Sequence, residues 1–205
     1  MKGVAGIMKS LAIEREFGSG GREIGMHVAE LAGIPYYDSK LLMKSAETLG
    51  VPVDMLEMYD EQRTGSLLYD IAPFSDIANN RKNSVYELFD GLRQTTRNLA
   101  SQGPAVFIGR CSSEILYGNT PLIRAFIFSS DIDKRLARIS EAESISLEEA
   151  KYLMQKKDRD RKNYFRFWSH KDWGDLCNYD LALNTASISP QMCAHLLLSA
   201  ITASN

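Results

Sequence analysis

The chain has 205 residues, which suits one domain or one core with insertions, and its 44% hydrophobic and 24% charged residues are ordinary globular values. A net charge of −2 argues against a dedicated nucleic-acid binder, which carries a basic excess. Cys111, Cys177 and Cys193 are widely spaced without a C-x-x-C pair, and no apolar run approaches the roughly 18 residues of a membrane helix, which argues against a disulfide framework, a cysteine zinc site and a helical membrane span. With no signal-like apolar stretch in Met1 to Ser10, these features predict a soluble, cytoplasmic protein with reduced thiols.

A short apolar strand near 11–16 runs into a turn holding Gly18, Gly20 and Gly21, and Ile24, Val28, Leu31 and Ala32 then recur at helical spacing. Strand, glycine turn and helix together present backbone N–H groups and a helix N-terminus to an anion. The pattern predicts a phosphate-binding loop, yet an irregular one. In the motif G-x-x-x-x-G-K-[ST] the first glycine falls at Arg15 and the lysine at Gly21, with Arg22 next. Arg15 and Glu16, flanking the loop, can pair with each other or with other groups at the rim.

Gly33 stops the first helix and a strand follows at 35–37. Asp38 or Ser39 then caps a helix from about Lys40 to Leu49, which Gly50 and Pro52 break. Val53 to Gln62 reads as a short helix, and Thr64 to Asn80, lacking a clean period, as a loop. Ser84 to Ala100 is an amphipathic helix, with Val85, Leu88, Phe89, Leu92, Thr96 and Leu99 on one face. The apolar run 105–108 suits a strand buried on both faces of a parallel sheet and ends in Gly109 and Arg110.

A short helix follows over Ser112 to Leu116, then a strand at 123–128 and a helix from Ile132 to Ser140. Ser146 and Glu149 form a capping box that starts a long helix carrying six basic residues between Lys156 and Arg166. In a regular helix Arg159, Lys162 and Arg166 share one face while Arg161 lies with Lys157 on another, so Arg159 and Arg161 meet one phosphate only if the helix bends. A turn at Trp173 to Asp175, a strand at 179–183 and a closing helix capped by Ser189 and Pro190 complete the chain.

Strands alternating with helices predict a three-layer α/β fold with a parallel sheet, which binds ligands at the carboxyl ends of its strands. Glu14 to Gly21, Asp38, Gly109 with Arg110, and Asn184 with Thr185 all fall at such ends. His27, His170 and His195 stand alone and carry no expected catalytic or metal role. Tyr164, Phe165, Phe167, Trp168 and Trp173 read as packing rather than as a base-stacking platform.

Several motifs occur together in order: Arg15-Glu-Phe-Gly-Ser-Gly-Gly-Arg-Glu-Ile-Gly25, Pro35-Tyr-Tyr-Asp38, Ile108-Gly-Arg-Cys111, Lys157-Asp-Arg-Asp-Arg161, Asp172-Trp-Gly-Asp175, Asn178-Tyr-Asp-Leu181 and Leu183-Asn-Thr185. Over nearly its whole length the chain resembles the cytidylate kinase-like proteins, a branch of the P-loop nucleoside monophosphate kinases. The resemblance implies a three-layer α/β/α P-loop kinase fold with a five-stranded parallel sheet. Its core would take in about 1–38, 100–140 and 176–205, its helical monophosphate-binding insert about 39–99 and its helical lid about 141–175. It further implies transfer of a phosphoryl group from ATP, with Mg²⁺, to a nucleoside monophosphate, with small-molecule nucleotides as partners.

Carried over by position, Gly18, Ser19, Gly20 and Gly21 would cradle the donor phosphates. Asp38, Lys44 and Arg110 would hold the acceptor, Arg159 and Arg161 would close from the lid, and Asn184 and Thr185 would edge the donor base. Where true cytidylate kinase has aspartate after the Gly-Arg pair this chain has Cys111, and where it has Ser-Gly-Ala after Asp38 this chain has Ser39, Lys40 and Leu41. The missing lysine leaves two expectations. Either Arg22 reaches the β/γ-phosphates from the first helical turn while Glu23 holds Mg²⁺ in place of Ser/Thr, or the site binds an anion without turnover. The altered acceptor segment also leaves open a kinase for another small acceptor.

Overall fold

The computed structural model describes residues 8–48 and 76–203, with side chains described over 8–47 and 89–203. Five strands form one parallel sheet in the order β2-β3-β1-β4-β5: β1 (Ser10–Arg15), β2 (Tyr36–Tyr37), β3 (Val106–Ile108), β4 (Leu122–Phe128) and β5 (Leu181–Asn184). Among the described residues seven helices connect and flank them: α1 (Gly21–Ala32), α2 (Ser39–Thr48), α3 (Asp76–Ser101), α4 (Ser112–Ile115), α5 (Ile132–Glu143), α6 (Leu147–Ser169) and α7 (Pro190–Thr202). The predicted helix Val53 to Gln62 lies outside the described residues, as does Leu49 at the end of α2.

β1 is central, paired with β3 on one side and β4 on the other, and every one of its six residues is buried. The pleat sorts its neighbours into two layers. Leu11, Ile13, Val106, Ile108, Ala125 and Ile127 face one way, packing with Ile24 and Val28 of α1 and Leu197 and Ile201 of α7. The intervening positions face the other way. Phe107 meets Leu42, Ala100, Ile115 and Leu116, while Phe126 meets Phe165, Trp173 and Tyr179. Each buried Leu, Ile, Val or Phe among them contributes about 1.5–3 kcal/mol by leaving water, so the sheet is held from both faces.

The helix ends follow their local chemistry. Gly33 takes a left-handed φ of 65° and closes α1. Ser146 accepts from the Glu149 N–H and Glu149 from the Ser146 N–H, completing the capping box of α6. One expectation is corrected. The segment read as loop to Asn80 is helical from Asp76; its mixed apolar and polar residues gave no clean helical period to read.

The chain passes from β1 through α1 to β2 on one side, then crosses from β3 to β4 on the other. That reversal puts a crevice at the carboxyl end of β1, where this architecture binds ligands.

Candidate phosphate site

At the end of β1 the backbone turns through Gly18 (φ 78°) and Gly20 (φ 83°), and Gly20 is the N-cap of α1. Neighbours fix the loop from three sides. The Ser19 hydroxyl donates to the Glu16 carbonyl at 2.9 Å, and the Thr185 hydroxyl lies 2.9 Å from the Ser19 carbonyl and 3.2 Å from that of Phe128. The Arg135 guanidinium, 4% exposed, donates to the Phe17 carbonyl and to the Glu16 carboxylate, and ion-pairs with Asp158. Asp158 in turn accepts from the Phe17 N–H at 2.7 Å. Burial raises the pKa of Glu16, against the opposing pull of the Ser129 N–H and Arg135, and the nearby Asp158 carboxylate adds to the rise.

Beside the loop lies a narrow cleft of about 20 Å³, lined by residues that include Glu14, Arg15, Arg110, Lys157, Asp160 and Arg161. Four cationic side chains thus face two carboxylates there. Lys157, Asp160, Arg161 and Tyr164 come from one face of α6, at the spacing of successive turns. Arg161 donates to the Arg15 carbonyl at 2.9 Å, and its guanidinium sits 5.4 Å from the Phe17 ring.

Arg110 is 5% exposed. Its Nε donates to the Ser39 hydroxyl at 2.8 Å, and the guanidinium lies 5.7 Å from the Tyr164 ring centroid. Gly109, Arg110 and Cys111 have consecutive positive φ values of 78°, 59° and 59°. Holding two side-chain-bearing residues in that region costs on the order of 1–3 kcal/mol each, a strain that concentrates at functional sites. It turns the chain so that Arg110 enters the cleft while Cys111 goes into the core.

A family model for the cytidylate kinase-like family matches residues 10–187. The chain belongs to that family. Its fold is that of the P-loop kinases. An uncharacterized protein from Eubacterium ventriosum ATCC 27560 is similar at 25% identity, over 95% of this chain and 99% of that one, with a TM-score of 0.73. TT1252 from Thermus thermophilus (14% identity, 95% of this chain and 96% of that one, TM-score 0.54) and a gluconokinase from Sinorhizobium meliloti 1021 (15%, 96% and 94%, TM-score 0.50) share the fold. No curated protein sequence matches the chain.

The expected residues divide. Arg110 and Arg161 line the cleft, with Arg15 and Lys157 joining them, while the loop Gly18 to Gly21 follows β1 and opens α1 next to it. Arg159 stands on the exposed side of α6, which runs unbroken from Leu147 to Ser169. Arg22, half exposed, pairs with Asp38 at 2.8 Å through its guanidinium rather than lying over the loop. Burial alone would raise the pKa of Asp38. The Leu41 N–H and Arg22 outweigh that effect and hold it below the ordinary carboxylate value. Glu23 is exposed on the first turn of α1, and Lys44 is exposed on α2. Asn184 accepts from the N–H groups of Ser130 and Ala186, tying two rim loops together.

Three contributors escaped the sequence reading: Arg135, Arg138 and Asp158. A Cβ built on Gly20 would lie 2.1 Å from Nη1 of Arg138, so that exposed guanidinium stands directly on the loop. The available signal was two arginines, three apart, on the helix that follows the strand beside β1.

Proposed function

We propose that the chain transfers the γ-phosphoryl group of ATP to a nucleoside monophosphate or a similar phosphorylated small acceptor. The observation carrying this reading is the juxtaposition, at one switch point, of the glycine loop opening α1 and the cleft holding Arg15, Arg110, Lys157 and Arg161. Phosphoryl transfer asks a protein chiefly for positioning and for neutralisation of charge on the equatorial oxygens. Arginine suits both demands, since it stays protonated and offers paired donors in one plane.

The donor phosphates fit the loop. Gly20 caps α1 with no side-chain bond, so the first-turn N–H groups are left for an anion, and Arg138 stands beside them. Arg110, held by Ser39 and backed by Tyr164, would orient the acceptor phosphate. Mg²⁺ neutralises charge on the transferring group and needs only one or two protein oxygens beside those of the nucleotide. Glu14 and Asp160 in the cleft, or Glu23 on α1, supply carboxylates of that kind. Among the described residues no three His, Cys, Asp or Glu cluster as a dedicated metal site, which suits an ion arriving on the nucleotide.

A second reading, nucleotide binding without turnover, is favoured by one observation: Arg22, the residue next to the missing lysine, is engaged by Asp38. The test is ADP release from ATP and Mg²⁺ with a panel of nucleoside monophosphates, for the wild-type chain and for Arg110→Ala. Turnover with at least one acceptor, lowered about 10³-fold in kcat/KM by Arg110→Ala, is expected. Measurable ATP binding with no turnover on any acceptor favours the second reading, and absence of nucleotide binding removes both.

A further inference from the structure

Two departures from the phosphate-loop motif stand six residues apart: arginine replaces its first glycine at position 15, and glycine replaces its lysine at position 21. In space they are one feature. A Cβ built on Gly21 would lie 2.6 Å from Cβ of Arg15, closer than real side chains come, and 3.0 Å from its Cγ. The stem of Arg15 therefore occupies the space through which a side chain at position 21 would leave the helix. The backbone of Gly21 does not fall among the positive-φ glycines, so conformation gives no reason for glycine there. Space does.

The other end of Arg15 tells the same story. A Cβ on Gly109 would lie 1.9 Å from Nη1 and 2.9 Å from Cζ of Arg15. The guanidinium thus lies against Gly109 with Nη1 foremost, in the cleft that Arg110, Lys157 and Arg161 also line. Arg15 is 7% exposed, and among the described residues its guanidinium forms no ion pair. A cation so nearly removed from water is stabilised by an anion, and this one faces the crevice between the glycine loop and the Gly109 turn.

We propose that Arg15 supplies, from the end of β1, the positive charge that a lysine at position 21 would supply from α1, and that it binds the terminal phosphate of ATP. The two positions have exchanged roles as a pair: arginine at 15 requires glycine at 21. This rests on the phosphoryl-transfer reading. Arg15 takes no part in bond making. It donates N–H groups to phosphate oxygens and remains protonated throughout. Arg22 is thereby free to stay with Asp38 and brace α1 against α2.

The test uses the full chain with Arg15→Met, Arg15→Lys, Arg15→Gly, Gly21→Lys and the double exchange Arg15→Gly/Gly21→Lys. Affinities for ATP and for AMP are measured by calorimetry, Tm by thermal unfolding, and ADP release alongside. Arg15→Met should weaken ATP binding by roughly tenfold to a hundredfold while leaving AMP binding and Tm near wild type, and Arg15→Lys should recover part of the loss. A merely structural arginine would lower Tm and both affinities together.

Gly21→Lys should lower Tm by crowding Arg15. The double exchange should restore Tm and bind ATP more tightly than Arg15→Gly alone, once Ile127, whose Cβ would lie 3.2 Å from the new one, gives slightly. Wild-type binding and turnover with Arg15→Met unaffected would overturn this inference alone. A double exchange no better than Arg15→Gly would do the same, whereas no ATP binding by the wild-type chain would overturn it together with the phosphoryl-transfer reading.

Discussion

Cys111 follows Arg110 and lines the cleft, yet its chemistry is quiet. Burial pushes its thiol well above the ordinary value of 9.0, and the neighbouring Glu14 and Glu114 carboxylates push it further. At neutral pH it is a protonated, packed thiol among Phe126, Phe165, Trp173 and Tyr179. Cys193 is fully buried as well, whereas Cys177 is exposed. Iodoacetamide on the native chain should label Cys177 and spare Cys111 and Cys193, as peptide mass spectrometry would report; prompt labelling of Cys111 would contradict its burial. Asp38 gives a residue-scale pH dependence. Its folded pKa lies below the unfolded value near 3.8, so its contribution is fully present above that value and is lost as pH falls through the folded one. Asp38→Ala should cost about 1 kcal/mol at pH 7 in urea unfolding through loss of the Leu41 N–H cap. The difference should shrink in acid below about pH 3.8.

The elements around the loop meet at a buried charge. Arg135 of α5 joins Glu16 and the Phe17 carbonyl, while Asp158 of α6 joins Arg135 and the Phe17 N–H. Removing Arg135 leaves two carboxylates facing each other with no cation between them. Arg135→Ala should therefore destabilise the chain by about 3 kcal/mol in urea unfolding, more than Asp158→Asn, which leaves Arg135 its Glu16 partner. Equal effects would mean that Glu16 does not compensate the guanidinium. This junction also marks where reading the sequence stops. The strands were legible because buried parallel strands are continuous apolar runs, as at Val106 to Ile108. The caps of α6 and α7 were legible because Ser146 with Glu149, and Ser189 with Pro190, act through neighbours a few residues away.

The faces of α6 were legible too, since helical period alone groups Arg161 with Lys157 and sets Arg159 apart. Which face meets the loop was not, for it depends on α5 and α6 docking against residues more than a hundred positions earlier. Arg15 shows the same limit. Its alternatives, Glu16 or a rim group, are equal in sequence, and the space left by Gly21 and Gly109 decides between them.

At the scale of the whole molecule, the crevice is where separately connected parts come together. The glycine loop is tied to β5 through Thr185, to α5 through Arg135 and to α6 through Asp158, while Arg161 reaches back to the Arg15 carbonyl. A ligand seated among these groups adds contacts that exist only when all of them are folded, so its binding stabilises the entire fold. Free ATP at about a hundred times its dissociation constant should add about 2.7 kcal/mol. For a domain of this size each kcal/mol raises Tm by roughly 2–4 °C, which gives an expected rise of roughly 5–10 °C. The rise should grow with the logarithm of ATP concentration and weaken in high salt, because Lys157 and Arg161 are partly open to solvent. A Tm that stays fixed as ATP rises into the millimolar range would mean that the folded chain does not bind ATP in that range. A rise of similar size with inorganic phosphate alone would assign the cleft to a simple anion rather than to ATP.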